Sequence, residues 1–122
     1  MSVITEHLLL KLIPAMIGIT VIILSLIILK FPPQKINYYY GYRTPASMKN
    51  QKNWDFSQIY SSHQFIKIGI VLIIISIASL FSNQVFFYNP IYISSVIIIT
   101  FIYGIVRTEY AIKNRINEVN SK

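Results

Sequence analysis

The fold of this chain is decided by residues 12–29, LIPAMIGITVIILSLIIL, a run of apolar side chains that contains no charge. A helix rises 1.5 Å per residue, so a helix over this run approaches the roughly 30 Å thickness of the hydrocarbon layer of a membrane. Backbone amides and carbonyls in lipid must pair with one another, which favours a helix for an isolated apolar run. The stretch therefore predicts a membrane-spanning helix at about residues 8–30.

Two further apolar runs lie towards the carboxyl end of the chain. Residues 68–87 carry only uncharged polar side chains among the apolar ones, and residues 91–106 carry no charge. We expect membrane-spanning helices at about residues 65–87 and 90–107. The sequence thus predicts an all-α membrane protein with three transmembrane helices, which form a single domain over residues 1–122.

The third helix has local signals at both ends. Asn89 and Pro90 suit the cap and the first position of a helix. Beyond residue 107 the pattern predicts a helical tail, in which Glu109 and Lys113 are four residues apart on an exposed turn.

The composition excludes a soluble protein. Hydrophobic residues make up 54% of the 122 residues and charged residues 12%, against about 25% charged residues in soluble domains. The net charge of +7 comes from cations that flank the apolar runs, which is typical of topology signals and of contacts with anionic lipid rather than nucleic acid. The chain has no cysteine, so disulfides and thiolate-bound metal clusters are excluded.

The distribution of the cations predicts the orientation in the membrane. With three crossings, the first loop and the carboxyl tail lie on one side. These two segments and their edges carry ten cations: Lys30, Lys35, Arg43, Lys49, Lys52, Lys67, Arg107, Lys113, Arg115 and Lys122. Lys11 alone is left for the other side. We therefore expect the amino terminus outside the cell and the first loop and tail in the cytoplasm.

The first loop contains the densest polar and aromatic segment, residues 37–54, NYYYGYRTPASMKNQKNW. The pair Thr44-Pro45 predicts the start of a helix. Five residues spaced three and four apart share one face of that helix: Ser47, Asn50, Trp54, Ser57 and Ser61. We expect an interfacial amphipathic helix within a loop region of about residues 31–64, bent where it joins the second transmembrane helix.

Small residues predict where the helices approach one another closely. On the second helix, Gly69, Ser76 and Ser79 prolong the small face into the membrane. The candidate partners on the other helices are Ala15, Gly18 and Gly104.

At the loop segment the chain resembles the SdpI family, membrane immunity proteins against a sporulation-delaying toxin, and its small three-helix relatives. The matching positions are Asn37, Gly41, Tyr42, Arg43, Thr44, Pro45, Ser47, Asn50 and Trp54. The layout is also similar, since the motif stands between the first and second of three helices. We expect the protein to differ from the namesake in size, with the motif-bearing three-helix unit and without the namesake's additional amino-terminal membrane segments.

The resemblance implies a multipass protein of the bacterial cell membrane. Some members protect the producing cell from its own membrane-active peptide toxin, and the namesake also sequesters a transcriptional repressor at the membrane. We therefore expect immunity or resistance through binding of a peptide toxin. The alternative is a structural or accessory subunit whose first loop docks a cytoplasmic regulator such as a repressor.

The nine matching residues form the predicted binding site. In this interpretation Arg43 holds an anionic group, Asn37, Ser47 and Asn50 offer hydrogen bonds, and Trp54 packs against the ligand. Other roles stay open: Arg43 as a topology cation or a loop brace, the amides and hydroxyls as caps and turns, and the aromatic rings as an interfacial belt.

The sequence gives no sign of catalysis or of a cofactor. Two histidines and four carboxylates are scattered along the chain, with no metal-ligand spacing and no nucleophile–base pair. We expect a protein that is not an enzyme and that binds neither metal nor nucleic acid. The predicted partners are membrane lipid, a peptide toxin and a cytoplasmic repressor.

Overall fold

The computed structural model describes residues 2–121, and within that range the chain forms three long α-helices, one short 3-10 helix and no β-strand. Helix α1 runs Val3–Lys30, α2 runs Gln51–Leu80 and α3 runs Pro90–Asn120, while the 3-10 helix Val85–Tyr88 lies between α2 and α3. Each α-helix is long and apolar enough to cross a membrane. The predicted all-α architecture with three such helices is confirmed.

The three helices are longer than the hydrocarbon layer is thick. They contain 28, 30 and 31 residues, which corresponds to about 42–47 Å at 1.5 Å per residue, against a hydrocarbon thickness of roughly 30 Å. The polar turns are the first ones of α2 and the last ones of α3. In a membrane these turns extend into the headgroup layer and beyond it.

The predicted interfacial helix does not exist as a separate element. Residues 45–48 form one isolated turn, in which the Met48 N–H donates to the Thr44 carbonyl at 2.9 Å. Helix α2 begins after it, because the Asn50 side chain accepts from the Asn53 N–H at 2.8 Å and caps the helix. From Gln51 the helix continues to Leu80 without a break.

Helix α2 runs without interruption through Ser61 and Ser62, where the bend was expected, and it contains no proline. Both hydroxyls donate to the carbonyl of Gln58 within the same helix. Of the five residues predicted to share one helical face, Trp54, Ser57 and Ser61 are buried on α2, whereas the other two precede the helix. That face packs inside the protein instead of lying on the membrane surface.

The second helix also ends earlier than the predicted residue 87. The Phe81 N–H donates to the carbonyl of Ala78, and the chain then turns at Ser82, where the hydroxyl accepts from the Gln84 N–H. Serine, asparagine and glutamine in succession compete for backbone hydrogen bonds and favour a turn. The first helix begins earlier than predicted, at Val3, because Ser2 caps it through the Thr5 N–H.

Helix α2 is the central helix, and α1 packs along it at two glycines. A Cβ atom built on Gly18 would lie 2.5 Å from the carbonyl oxygen of Gly69, and one built on Gly69 would lie 2.6 Å from that of Gly18. The two backbones are therefore in direct contact, as close approach between membrane helices requires. Nearby, the Ser76 hydroxyl donates to the Lys11 carbonyl at 2.7 Å.

Helix α3 packs on a different part of α2. Gly104 is buried, and a Cβ atom at this position would overlap the side chain of Ile68. The rings of Phe65 and Phe101 lie 5.9 Å apart between the same two helices. Because α1 and α3 both pack mainly on α2, they touch each other at few residues, and a cleft remains between them.

The two connections between the helices lie at opposite ends of the protein, which we call the motif end and the distal end. The motif end consists of the loop of residues 31–50 and the carboxyl-terminal part of α3, which are joined by hydrogen bonds. The distal end consists of residues 81–89 and the beginning of α1, joined by the hydrogen bond from the Lys11 ammonium to the Ser82 carbonyl at 2.7 Å.

Replacing Gly18 by valine should push α1 away from α2, because the new Cβ atom would collide with the Gly69 carbonyl. We expect the free energy of unfolding in mild detergent to fall by about 1–3 kcal/mol, as for other overpacked sites. Ala78→Val, at an exposed position of α2, is the control and should stay near wild type. Equal stability of the two variants would contradict the close contact.

Candidate functional site

A glycine lies where the segment of the motif loop around Tyr42 meets α2. Gly41 has a φ of +102°, which only glycine adopts without cost. A Cβ atom there would overlap the Gln58 side chain. Gly41 therefore allows the backbone of the next residue to lie directly against α2.

Gln58 satisfies both backbone polar groups of Tyr42. Its side-chain oxygen accepts from the Tyr42 N–H at 2.6 Å, and its side-chain nitrogen donates to the Tyr42 carbonyl at 2.9 Å. Gln58 is buried, so water cannot replace either bond without opening the loop. Gln58 was not among the site residues predicted from the sequence, although a glutamine on the buried small face of α2 was the available signal.

Glu109 joins the motif loop to α3. One of its carboxylate oxygens accepts from the Tyr42 hydroxyl at 2.8 Å and from the Thr44 hydroxyl at 2.7 Å. The prediction of an exposed turn at Glu109 and Lys113 is therefore wrong for Glu109, which is half-buried. Hydrogen bonds to a charged acceptor are about twice as strong as neutral ones, so Glu109 is a principal anchor of the loop.

Thr44 and Ser47 close the turn around Pro45. The Thr44 N–H donates to the Ser47 hydroxyl oxygen at 2.8 Å, and the Ser47 N–H donates to the Thr44 hydroxyl oxygen at 3.2 Å. The Ser47 side chain is buried and also lies 3.1 Å from the Tyr42 carbonyl. Pro45 is exposed and starts the turn without needing an amide partner.

Trp54 is fully buried and holds the beginning of the loop. Its indole N–H donates to the Pro33 carbonyl at 2.7 Å. Next to it, Gln51 donates from its side chain to the Gln34 carbonyl at 2.7 Å. The first turns of α2 thus bind both arms of the loop, at residues 33–34 and at Tyr42.

The two remaining polar motif residues brace the tyrosine segment. The Asn37 side-chain oxygen accepts from the N–H groups of Tyr39 and Tyr40, at 2.9 and 2.8 Å. The Arg43 guanidinium donates to the Tyr38 carbonyl. Arg43 is exposed, and one bond leaves most of its five donors available.

Eight of the nine motif residues lie in the loop of residues 31–50, and the ninth, Trp54, lies in the first turn of α2 and bonds to that loop. Most of their polar side chains are hydrogen-bonded within the protein, as caps, turns and braces. The outer surface of the loop is formed instead by Tyr38 and Tyr39, which are 77% and 89% exposed. That the motif also binds a partner stays a prediction.

A sequence model of the SdpI/YfhL protein family matches residues 34–106, which is more than half of the chain. The chain belongs to the SdpI/YfhL family. It is also similar to an uncharacterized protein, YfhL of Bacillus subtilis (strain 168), with 36% identity over 84 residues, covering 69% of this chain and 74% of that protein. No solved structure matches the chain.

The family match covers the motif loop, α2 and the membrane part of α3. Within these segments, Gln58 joins α2 to the motif loop and Gly104 packs α3 against α2. Family membership and three apolar helices together indicate a multipass membrane protein. Glu109, which anchors the motif loop to α3, lies three residues beyond the matched range.

The distal end of this SdpI/YfhL protein carries a second concentration of aromatic residues. We define the distal aromatic cluster as Phe81, Phe86, Phe87, Tyr88 and Tyr92. Phe81 is 88% exposed, and the rings of Phe86 and Tyr92 lie 4.8 Å apart. Most of this cluster was predicted to lie inside the second helix. The polar triplet of residues 82–84 was the sequence signal for a turn there.

A cavity of about 350 Å³ lies beside this cluster, between α1 and the 3-10 helix. The ring of His7 stacks on that of Tyr88 with a centroid distance of 4.0 Å. The Lys11 ammonium also lines the cavity, 5.8 Å from the centroid of the Tyr88 ring. The distal end thus combines a cation, hydrogen-bonding groups and exposed rings.

Replacing Glu109 by alanine should release the motif loop from α3. The hydroxyls of Tyr42 and Thr44 would lose their shared acceptor, and we expect the free energy of unfolding to fall by about 1–3 kcal/mol. Glu109→Gln keeps one acceptor oxygen and should lose less. Glu118→Ala, at an exposed position of the same helix, is the control; a loss as large as that of Glu109→Ala would contradict the anchoring role.

The Tyr42 phenol should make stability depend on alkaline pH. Burial raises its pKa, and the hydrogen bond and negative charge of Glu109 raise it further. An unfolded tyrosine has a pKa near 10, so above about pH 10 the unfolded state loses a proton that the folded state keeps, and stability falls as pH rises. Denaturant unfolding of wild type and Tyr42→Phe should show a shallower fall in the variant.

Tyr39→Phe is the control for this titration, because Tyr39 is exposed. It should keep the wild-type slope of stability against pH. A Tyr42→Phe protein with that same slope would show that the buried phenol does not titrate differently in the two states.

Proposed function

We propose that this protein confers immunity or resistance to a membrane-active peptide toxin by binding the peptide in the bacterial cell membrane. The proposal rests on membership of the SdpI/YfhL family, on the immunity role of the SdpI proteins that the motif resembles, and on one structural observation. That observation is the distal aromatic cluster with its adjoining cavity. The proposed role is binding rather than catalysis.

The location of this cluster fits the direction from which a secreted toxin arrives. Ten of the eleven cations lie at the motif end or next to it in sequence, so the proposed orientation has the motif loop and tail in the cytoplasm and the amino terminus outside. In that orientation the distal end faces the cell exterior. The motif loop then holds the helices together from the inner side.

The chemistry of the distal end suits an apolar peptide at the membrane surface. Exposed Phe81 and the ring pair of Phe86 and Tyr92 offer packing at the depth where aromatic residues are favoured. The Lys11 ammonium has three N–H donors and uses one for the Ser82 carbonyl. It can therefore donate to a carbonyl or carboxylate of the peptide.

Other surfaces are less suited to capture. The small-residue faces are occupied by packing between α1, α2 and α3. Most polar groups of the motif have partners within the protein. The distal end offers exposed aromatic and polar groups next to a cavity, on the side that the proposed orientation places outside the cell.

Expression of the protein in a host sensitive to the sporulation-delaying peptide should raise survival under that peptide. Phe81→Ala should lower this survival at unchanged protein level, because truncating an aromatic anchor weakens binding by about tenfold or more. Tyr110→Ala removes an exposed ring at the motif end and is the matched control. Survival that is unaffected by wild-type expression, or lowered equally by both variants, would contradict the proposal.

A second candidate function is supported by the outer surface of the motif loop. Tyr38 and Tyr39 are exposed, and the same loop carries the exposed cations Lys35 and Lys49, which suits docking of an acidic surface of a cytoplasmic regulator. In that case Tyr39→Ala would abolish co-purification of the repressor and Phe81→Ala would not. Loss of co-purification in Phe81→Ala alone would exclude docking through the loop.

A further inference from the structure

A cavity of about 290 Å³ lies at the motif end, where the cleft between α1 and α3 meets the motif loop. We call it the motif cavity. Its walls come from all three helices and from the loop. The residues that matter for its chemistry are Ser25 of α1, Ser61, Ser62 and Phe65 of α2, and Arg43 of the loop.

Ser25 is the polar group of the motif cavity that has no partner in the protein. The residue is 4% exposed, yet none of the hydrogen bonds of residues 2–121 involves its hydroxyl. Every fully buried side-chain nitrogen or oxygen in this part of the chain does have a partner. The Ser25 hydroxyl must therefore keep open surface, and that surface faces the cavity that it lines.

The two serines of α2 are available to a ligand as hydrogen-bond acceptors and not as donors. Ser61 and Ser62 each donate their only proton to the Gln58 carbonyl, at 3.3 and 2.7 Å. Their oxygens therefore remain as acceptors. The motif cavity thus offers one free hydroxyl donor and two hydroxyl acceptors along its floor.

Arg43 supplies positive charge at the same cavity. It lines both this cavity and the neighbouring groove formed with Tyr38 and Pro45. One N–H is used for the Tyr38 carbonyl. The other donors suit a phosphate oxygen, for which arginine has the matching geometry.

The depth of the motif cavity corresponds to the boundary between acyl chains and headgroups. Ser25 precedes the end of α1 by about one and a half turns, and Ser61 lies in the polar part of α2. On the apolar side the cavity is bounded by Phe65, Ile28 and Ile105. Its volume is at the lower limit for ligand pockets, which fits a headgroup and not a whole lipid.

We propose that the motif cavity binds the phosphate and glycerol headgroup of phosphatidylglycerol, an anionic phospholipid, with the acyl chains in the cleft between α1 and α3. Arg43 and the Ser25 hydroxyl donate to the phosphate. Ser61 and Ser62 accept from the headgroup glycerol hydroxyls. Phosphatidylcholine has the same phosphate, but it lacks the hydroxyls for the second set of bonds, and its quaternary ammonium adds a positive charge that opposes Arg43.

The purified protein is placed in nanodiscs of phosphatidylcholine, with and without phosphatidylglycerol. Native mass spectrometry then measures which lipid stays bound to the protein. Wild type should retain phosphatidylglycerol over phosphatidylcholine. Arg43→Gln should weaken phosphatidylglycerol retention about tenfold, as for loss of a charge-assisted contact. Lys49→Gln removes an exposed loop cation that does not line the cavity and should behave as wild type.

Ser25→Leu gives an independent variant, because a leucine in α1 keeps the helix apolar while it fills the cavity. It should lose phosphatidylglycerol retention with Arg43 intact.

Equal loss in Arg43→Gln and Lys49→Gln would show attraction by net charge alone, and equal retention of both lipids by wild type would exclude the site. If inorganic phosphate added to phosphatidylcholine nanodiscs protects the protein against thermal unfolding as well as phosphatidylglycerol does, the ligand is a free phosphate and the proposal fails.

Discussion

The structure depends on one constraint: a loop at the edge of a membrane must find partners for its backbone polar groups where water is scarce. The side chain of Gln58 satisfies this constraint for Tyr42, because it accepts from the amide and donates to the carbonyl of the same residue. The contact requires the positive φ of Gly41 and places the Tyr42 ring towards α3. There the phenol and the Thr44 hydroxyl reach Glu109. A single buried amide thus determines how the loop, α2 and α3 are joined.

The glycine contact between α1 and α2 has consequences for the rest of the membrane region. Because Gly18 and Gly69 bring the two backbones together, α1 packs along one side of α2. Helix α3 packs through Gly104 near Ile68 and Phe65 instead, and it meets α1 at few residues. The cleft that results is not a packing defect, since its motif end is lined by serine hydroxyls and an arginine. Polar groups at that position favour a headgroup over an acyl chain as the occupant.

The three helices were predictable from apolar runs, and Gly18, Gly69 and Gly104 from their size. Helical spacing also identified the buried face of Trp54, Ser57 and Ser61, but spacing cannot show whether such a face belongs to a separate helix or to the start of a longer one. The cap at Asn50 was the deciding feature, since it starts α2 there. Gln58 and Glu109 were missed because their partners are 16 and 67 residues away, and no local pattern marks contacts of that range. The distal end was missed because Val85, Phe86 and Phe87 prolong the apolar run past the true end of α2.

A motif in a membrane protein is commonly interpreted as a ligand site, but here its polar side chains mostly serve the loop that carries them. Asn37, Ser47 and Trp54 are occupied by loop backbone, so a ligand that used them would have to replace bonds that hold the fold. Arg43 differs, because it is exposed and keeps donors free. The chemistry available to partners is therefore divided between Arg43 with its neighbouring serines at one end and the aromatic cluster at the other. A peptide arriving at the distal end and a lipid held at the motif end would contact the same helix, α2, so binding at either end acts on the helix that determines the packing of the other two.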